Sequence, residues 1–559
     1  MTSIDRTLTL QPVSRRATLT GLAGTAALAA LPWQARAQAA GPDAVFRQGV
    51  ASGDPDAHSV VLWTRVSSGA PTAEVAWELS RDPQFGTIDR RGSVTTGPER
   101  DYTVKLLADG LEPGETWYYR FRLGNALSPA GRARTLPVGK TERLGIALAS
   151  CSNYPFGFFN AYDAIARDPA VDFVLHVGDY IYEYGAAGWG AETGAKLGRL
   201  HEPANDIVSV ADYRMRHAQY KTDAGSQAMH AAHTLLACWD DHESANNPWT
   251  GGAENHHPAT QGEWTVRRAN SIQAYFEYMP VREPEWLEVK GRSRMQFWRS
   301  YSFGDLATLC TLETRHTARA KQVDYDDFTG RTAEDVTRLV DEAVGAPARL
   351  LVPPELESDL SASLEASVAA GQPWRLIGNQ IIIARIRVPD VVGMGLMPQA
   401  EDGPLAFEGK WNLPYLPDSW DGYGWAREKF YALSRAAGAG DLIFLSGDSH
   451  SFWANQLADG EGRPAGVELG TAGISSPGGL IGEGLQASQV AGIDKALADH
   501  NPEVLWTDGL HQGYVRLELT RERGTASFIT IDTLLSPDYR ASILQRFGVE
   551  KRDGVVTLV

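Results

Sequence analysis

Four short motifs rich in thiol, carboxylate, phenol and imidazole groups each follow an apolar run that predicts a β-strand. In chain order the motifs are Ala149-Ser150-Cys151-Ser152, Gly178-Asp179-Tyr180-Ile181-Tyr182, Asp240-Asp241-His242-Glu243 and Gly447-Asp448-Ser449-His450. Open α/β sheets bind ligands at the carboxyl ends of their strands. The four motifs therefore predict one multinuclear metal site.

These residue types favour metal-assisted hydrolysis of a phosphate ester. The negative oxygens of such an ester repel a nucleophile, and bound cations both neutralise them and lower the pKa of water. The order of the motifs is similar to the metallophosphoesterase pattern D-x-H, G-D, G-N-H-[DE] and G-H-x-H. In that comparison Asp179 bridges two metals, and His242 holds the place of the catalytic histidine.

Departures from that pattern change the expected metals. Cys151 takes the first position, Asp241 replaces an asparagine ligand and Asp448 replaces a histidine ligand, whereas His450 keeps the last histidine. Carboxylate-rich positions favour Ca²⁺, Mg²⁺ or Mn²⁺. The thiolate of Cys151 and the phenolate of Tyr182 favour Fe³⁺, although ligand type alone also allows Zn²⁺.

The start of the chain predicts export. Ser14-Arg15-Arg16-Ala17-Thr18-Leu19 fits a twin-arginine signal, except that Thr18 replaces the preferred Phe. The uncharged stretch 17–34 is too short and too weakly apolar to span a bilayer comfortably, and Ala35-Arg36-Ala37 offers small residues for cleavage. We therefore expect a signal peptide over residues 1–37, recognised by the twin-arginine machinery, and a periplasmic or secreted protein. An ordinary export signal or a frayed tail is the alternative.

The net charge of −17 limits the possible partners. Phosphate backbones need a basic surface, so specific nucleic-acid binding is not expected. Beyond the signal, the sequence has no apolar segment long enough for a transmembrane anchor. A small phosphate ester remains a suitable substrate, because bound cations reverse the local field.

The chain after the signal is too long for one compact core. Residues 43–136 predict a small all-β domain of immunoglobulin or fibronectin type, because strands rich in aromatic and β-branched residues alternate with Gly/Pro/Asp clusters. Residues 141–535 predict a layered α/β catalytic domain, and residues 536–559 a tail that packs on it. The predicted helices include Asn160–Arg167, Val210–Tyr220, Thr265–Tyr278 and Gly424–Ala436.

Several longer motifs, in the right order, resemble the alkaline phosphatase D family, which includes secreted phospholipase D-like enzymes. The resemblance runs from about Phe46 to the C-terminal strands. It is carried by Phe46-Arg47-Gln48-Gly49-Val50-Ala51-Ser52-Gly53-Asp54-Pro55, Gly178-Asp179-Tyr180-Ile181-Tyr182-Glu183, Tyr213-Arg214-Met215-Arg216-His217-Ala218-Gln219-Tyr220, Trp239-Asp240-Asp241-His242-Glu243-Ser244-Ala245-Asn246-Asn247 and Gly447-Asp448-Ser449-His450-Ser451.

The resemblance implies a fold and a set of metals. The implied fold is a four-layer αββα sandwich preceded by a fibronectin-like domain, and the implied cofactors are one Fe³⁺ with one or two Ca²⁺. His450 is a further candidate metal ligand, and Asp240 is either another ligand or a buttress of its loop. The implied ligands are Cys151, Asp179 and Tyr182 for iron, and Asp179, Asp241, Asn246 and Asp448 for calcium.

Two residues outside the motifs are candidate substrate contacts. Arg385 can offer bidentate geometry to a phosphate group, with a surface ion pair as the alternative. His511 precedes Gly513-Tyr514 and is expected within reach of the site.

Three functions are weighed. The first is an exported phosphoesterase acting on mono- or diesters. The second is a phospholipase D-like activity on lipid head groups, which Trp189, Trp249 and Trp264 in long loops would support as apolar rim residues. The third is a cell-envelope binding protein with structural calcium. Cys151 argues against the third, because a purely structural calcium site takes oxygen ligands.

Overall fold

The computed structural model describes residues 45–289, 292–325, 332–347, 349–397, 404–482 and 484–559, so the predicted signal peptide lies outside the described residues. Among those residues, no helix is both long enough and apolar enough to cross a bilayer. The α-helices are α1 Asn160–Arg167, α2 Ala191–Leu197, α3 Val210–Tyr220, α4 Ala224–Ala232, α5 Pro258–Gln261, α6 Trp264–Tyr278, α7 Ala333–Arg338, α8 Pro354–Ala369, α9 Pro404–Trp411, α10 Gly424–Ala436, α11 Gly479–Gly482 and α12 Ala487–His500. Short 3₁₀ turns lie at Pro98–Arg100, Tyr154–Phe156 and Trp420–Tyr423, and a π-helical segment at Leu339–Val344.

The described strands fall into a first and a second half of the chain. In the first half they are β1 Val50–Gly53, β2 Val60–Arg65, β3 Ala73–Ser80, β4 Arg90–Thr96, β5 Thr103–Ala108, β6 Thr116–Leu123, β7 Ala126–Leu127, β8 Gly131–Arg134, β9 Leu144–Ala149, β10 Phe173–His176, β11 Thr234–Ala237 and β12 Glu285–Val289. In the second half they are β13 Arg292–Gln296, β14 Ser300–Phe303, β15 Ala307–Thr311, β16 Trp374–Gly378, β17 Leu442–Ser446, β18 Phe452–Ala458, β19 Pro464–Gly470, β20 Val504–Asp508, β21 Gln512–Leu519, β22 Gly524–Ile531, β23 Ala541–Arg552 and β24 Val555–Leu558.

Two large sheets stack face to face between layers of helices. The first has the strand order β24-β23-β22-β21-β9-β10-β11-β1-β2-β5, and the second has the order β14-β15-β16-β17-β19-β18-β20. One apolar cluster fills the space between the sheets, and it takes Leu148 and Leu175 from the first and Leu376 and Leu445 from the second. Separate clusters join each sheet to its helices. The predicted four-layer αββα sandwich is therefore confirmed.

The central parallel strands end level with one another. Strands β9, β10 and β17 are buried along their whole length, which explains their nearly continuous apolar sequences. His176 at the end of β10 pairs in register with Ala149 of β9 and Ala237 of β11. The second sheet meets this edge, because the amide of Ile474 donates to the carbonyl of Ser150 at 2.9 Å. All four sequence motifs follow strands that converge here.

The region predicted as a separate β domain shares a sheet with the catalytic region. Strands β3, β4, β6, β7 and β8 form a five-stranded sheet of their own. Strands β1, β2 and β5 instead extend the ten-stranded sheet, because β1 pairs in parallel with β11 through Ser52↔Thr234 and Gly53↔Leu235. One apolar cluster, which includes Leu62 and Phe121, packs the two sets of strands together.

The last residues of the chain belong to the same large sheet. Residues 536–559 include β23 and β24, and β23 pairs with β22. Val549 and Val556 join the apolar cluster between the sheets. The predicted tail thus contributes the outer two strands of the ten-stranded sheet.

Candidate metal centre

Tight loops carry the predicted ligands out of the strands. Cys151, Asp179, Asp448 and His450 all adopt left-handed backbone angles, with φ between 54° and 64°. Non-glycine residues in this region are uncommon and cluster at functional sites, where the surrounding structure holds them. Gly178 permits the close approach of two of the loops, because a Cβ atom there would lie 2.2 Å from the backbone nitrogen of Asp240.

The first group of ligand atoms gathers around one oxygen of Asp179. The thiol of Cys151 and the hydroxyl of Tyr182 both lie 3.3 Å from Asp179 Oδ2. His450 Nε2 lies 3.1 Å from the Tyr182 hydroxyl, and the other ring nitrogen of His450 lies 3.1 Å from the carbonyl of Pro477. Ligand atoms of Cys151, Asp179 and His450 all lie within 4.8 Å of one another. The structure thus brings the predicted iron ligands together.

A second group shares Asp179 and adds the third motif. Ligand atoms of Asp179, Asp241 and His242 lie within 4.8 Å of one another. His242 Nδ1 lies 2.7 Å from Glu183 Oε2, and the His242 ring stacks on Tyr182 with centroids 4.1 Å apart. Because Glu183 fixes Nδ1, the free nitrogen Nε2 is the one available for chemistry.

A third group joins the third and fourth motifs around an arginine that the sequence analysis missed. Ligand atoms of Asp240, Asp241 and Asp448 lie within 4.8 Å of one another. The fully buried guanidinium of Arg315 is hydrogen-bonded to Asp240 Oδ1, and it donates to Asp448 Oδ1 at 2.6 Å. Asp240 therefore does buttress its loop through Arg315, while its other oxygen is buried and has no hydrogen-bond partner in the described structure.

Arg315 carries the same sequence signal as the four motifs. It follows the apolar strand β15, and Glu313 accepts hydrogen bonds from the backbone amides of residues 315, 316 and 317. The roles of two further acids, Glu183 and Glu243, were not predicted, although both lie within the sequence motifs. Glu183 orients His242, and Glu243 accepts the amides of Asp179, Tyr180 and Asp240.

Burial and nearby negative charge raise the pKa values of four acidic groups in the centre, whereas the charges of His242 and Arg315 lower the pKa of Asp241. Burial raises the pKa of Cys151 well above 9.0, and the charges of Asp179 and Asp448 raise it further. Burial likewise raises the pKa values of Asp179, Tyr182 and Asp448 well above their usual values. A bound cation would reverse these shifts, because positive charge favours thiolate, phenolate and carboxylate.

The pKa values of His242 and His450 are shifted in opposite directions from the usual value. Burial lowers the pKa of His242, but the charges of Asp241, Glu183 and Asp179 outweigh it, so that the pKa lies well above 6.5. Burial lowers the pKa of His450 to about 4, with a contribution from the charge of His242. These directions favour a neutral His450, which suits a metal ligand, and a protonated His242, which suits a proton donor.

Several predicted residues lie outside this cluster or join it only through the backbone. Arg385 Nε donates to Glu503 Oε1 at 2.7 Å, so its guanidinium forms the ion pair that was the alternative. His511 Nδ1 lies 2.9 Å from Asp508, at the rim beside the fourth motif. The amide of Asn246 donates to Glu183 at 2.7 Å. Trp264 is 5% exposed, so it is not a rim residue.

The fold is that of a metallophosphoesterase-like sandwich, and comparison with known proteins names the family. A family model described as PhoD-like phosphatase matches residues 146–528, and one for the N-terminal domain of these proteins matches residues 32–137. The chain belongs to the PhoD-like phosphatase family and is a hydrolase acting on phosphoric ester bonds. The resemblance to the alkaline phosphatase D family is thereby confirmed.

Two relatives illustrate the similarity. Alkaline phosphatase D of Bacillus subtilis (strain 168) is 32% identical over 522 residues, which cover 90% of this chain and 81% of that protein. A solved structure of PhoD is 30% identical with a TM-score of 0.75, and the alignment covers 93% of this chain and 92% of that one. Because the chain belongs to a phosphatase family, the cell-envelope binding protein is no longer a competing function.

Proposed function

We propose that this protein is an exported, metal-dependent phosphoesterase that hydrolyses phosphate monoesters, diesters or both. The observation that carries the proposal is that three groups of ligand atoms share Asp179 and Asp241 at one sheet edge, in a chain of a phosphatase family. Shared carboxylates are the feature expected of a centre that holds more than one cation.

The residues present fit a metal centre. Asp179, Asp240 and Asp241 are buried and Asp448 is half-buried, and Arg315 forms ion pairs with Asp240, Asp241 and Asp448. The second carboxylate oxygen of Asp240 is buried without a hydrogen-bond partner in the described structure, so it is available to a cation. We propose that the ligands are Cys151, Asp179 and Tyr182 for Fe³⁺, and Asp179, Asp241, Asn246 and Asp448 for one or two Ca²⁺, with His450 at the iron side and Zn²⁺, Mn²⁺ or Mg²⁺ as substitutes.

The chemistry that such cations supply is neutralisation of the phosphate oxygens and acidification of water. The chain's own part is proton transfer and positioning. Glu183 holds His242 by Nδ1, and its carboxylate favours the protonated ring, so Nε2 can donate a proton to the leaving oxygen. Asp179 accepts the backbone amide of His242 at 3.2 Å, which ties the proton donor to the central carboxylate.

Export is proposed from residues 1–37 alone. The paired arginines Arg15 and Arg16 support the twin-arginine route, which carries folded proteins and suits a metal loaded before export. A periplasmic or secreted location follows from that proposal.

A phospholipase D-like activity is the second candidate. Trp189 stacks on His450 with centroids 5.4 Å apart, and both Trp189 and Trp249 are partly exposed. Aromatic side chains at a site rim suit contact with a lipid interface.

The decisive experiment measures metal content and turnover on the same preparation. Purified protein should contain iron and calcium by elemental analysis, and it should hydrolyse 4-nitrophenyl phosphate, bis-4-nitrophenyl phosphate or both. Phosphatidylcholine vesicles test the lipid candidate in parallel. Chelation should remove activity, and re-addition of the metals should restore it. Full activity in metal-free protein would overturn the proposal.

A further inference from the structure

A cavity of about 450 Å³ opens beside the metal centre and takes no part in the chemistry described above. Its size suits a small organic group. Its wall combines aromatic, amide and charged side chains, among them Asn247, Trp249, Glu254, Lys321, Tyr325 and Asp418.

Asn247 forms the boundary between the cavity and the metal centre. On one side its backbone amide donates to Asp241 Oδ2 at 2.9 Å, and its side-chain oxygen accepts from Arg315 at 3.4 Å. On the other side its side-chain nitrogen donates to Glu254 Oε2 at 2.9 Å. The cavity therefore lies one side chain away from the proposed ligand Asp241.

The cavity wall has an excess of negative charge. Besides Asp324 and Glu408, which interact with other groups, its described lining includes two carboxylates, from Glu254 and Asp418, and one ammonium, from Lys321. The Lys321 ammonium lies 5.5 Å from the centre of the Trp249 ring, so this aromatic face already accepts a cation. A concave wall with one dominant sign of charge concentrates its field on whatever enters it.

We propose that this cavity binds the alcohol part of the ester, and that Glu254 and Asp418 make it select positively charged alcohol groups over negatively charged ones. The proposal rests on the phosphoesterase function proposed above. Attraction between unlike charges in a half-enclosed cavity favours an ammonium substituent, and a carboxylate substituent is repelled. The metal centre neutralises the phosphate itself, so the selection acts on the remainder of the substrate.

The test uses three esters of similar size that differ in the charge of the alcohol part. They are 2-aminoethyl phosphate, propyl phosphate and 2-carboxyethyl phosphate. We measure kcat/KM from phosphate release, together with the constant for inhibition of nitrophenyl ester hydrolysis by each ester. We expect both measures to rank the positively charged ester first, the neutral ester second and the negatively charged ester last. At low salt each measure should differ by about three- to tenfold between successive esters, and the differences should be smaller at high salt.

Charge-removing variants identify the residues responsible. Glu254→Gln and Asp418→Asn keep the size of the side chain, and each should narrow the cation-to-anion ratio by at least about threefold. Glu522→Gln removes an exposed charge beyond the end of β21, away from the motif edge, and should leave the ratio unchanged. Equal or reversed ranking of the three esters, or ratios insensitive to both cavity variants, overturns the proposal. Failure to hydrolyse nitrophenyl esters would count against the phosphoesterase function instead.

Discussion

Asp179 is the residue on which the candidate centre depends most. One of its oxygens faces Cys151 and Tyr182, and the other accepts the amide of His242. The same carboxylate thus belongs to two of the three ligand groups. Loss of this carboxylate should therefore weaken the binding of both proposed metals.

Asp179→Asn is expected to be the most damaging single substitution at the centre. The amide removes the negative charge and leaves one oxygen instead of two, so iron and calcium should be lost together. Elemental analysis of the purified variant measures both metals, and turnover should fall at least about 10³-fold if both metals contribute to catalysis. Asp499→Asn, at an exposed acid that pairs with Lys495, is the control and should retain both metals. Loss of one metal alone would show that Asp179 is not shared.

His242→Ala separates proton transfer from metal binding. Without the imidazolium, turnover of an alkyl ester should fall by about 10²–10⁴-fold, the usual range for general acid catalysis. A nitrophenyl ester should lose much less, because its leaving group needs no proton, and both metals should remain bound. The paired measurement is kcat for the two substrates with metal content on the same sample. Equal losses on both substrates would exclude the general-acid role.

At the scale of loops and strands, Glu243 connects two of the motif loops. Its buried carboxylate accepts the amides of Asp179 at 3.0 Å, Tyr180 at 2.6 Å and Asp240 at 2.8 Å. The left-handed backbone of Asp179 is thereby held against the loop that carries Asp241. These bonds position metal ligands without contacting substrate.

Glu243→Gln is expected to loosen these loops. A glutamine carries only one acceptor oxygen, so at least one buried amide loses its partner at a cost of about 1–3 kcal/mol. We expect lower thermal stability and faster hydrogen exchange at residues 178–182, together with weaker metal retention. Glu277→Gln, which disturbs a buried ion pair with Arg214 outside the centre, is the matched control. If both variants lost metal equally, general destabilisation would explain the effect.

Helices could be predicted from the sequence more accurately than strand pairings, because the pattern that defines a helix lies within the helix itself. Helices α1, α3 and α10 match their predicted bounds, and α6 begins one residue before its predicted start. Their periodic patterns and caps lie within the segments themselves. The pairing of β1 with β11 joins residues about 180 positions apart, and no local pattern encodes it. Arg315 follows a strand as the motifs do, but an arginine is not a metal ligand, so its position alone did not indicate a place in the site.

At the scale of the whole molecule, Lys221 joins the N-terminal strands to the catalytic region. Its fully buried ammonium lies 4.7 Å from the Trp63 ring centre and 4.8 Å from that of Tyr180, and its Nζ is 3.3 Å from the Tyr180 hydroxyl. Burial lowers its pKa from 10.5 to about 7. The charge therefore opposes folding at neutral pH.

The lowered pKa of Lys221 determines the direction in which the free energy of unfolding changes with pH. Below pH 7 Lys221 is charged in both the folded and the unfolded state, so folding bears the full cost of burying its ammonium group. Between pH 7 and 10.5 the unfolded chain binds the proton more tightly, so stability rises with pH. Relative to Lys221→Met, the unmodified protein should gain up to about 1.4 kcal/mol per pH unit between pH 7.5 and 9. Urea unfolding of both proteins across this range measures the difference, and a pH-independent difference would contradict the assigned pKa.

The shared sheet makes a prediction about the whole chain. Removing residues up to 139 would delete β1, β2 and β5 and expose β11 as an edge, and exposed edges of apolar strands promote aggregation. It would also remove Asp54, whose buried carboxylate accepts from Arg282 and Arg299.

We therefore expect the fragment 140–559 to be insoluble or oligomeric by size-exclusion chromatography, and to lose activity although all its proposed ligands remain. Co-expression with residues 45–139 supplies the missing strands and should restore a soluble, active complex. A monomeric, active fragment 140–559 would show instead that the N-terminal strands are an independent domain, as the sequence analysis expected.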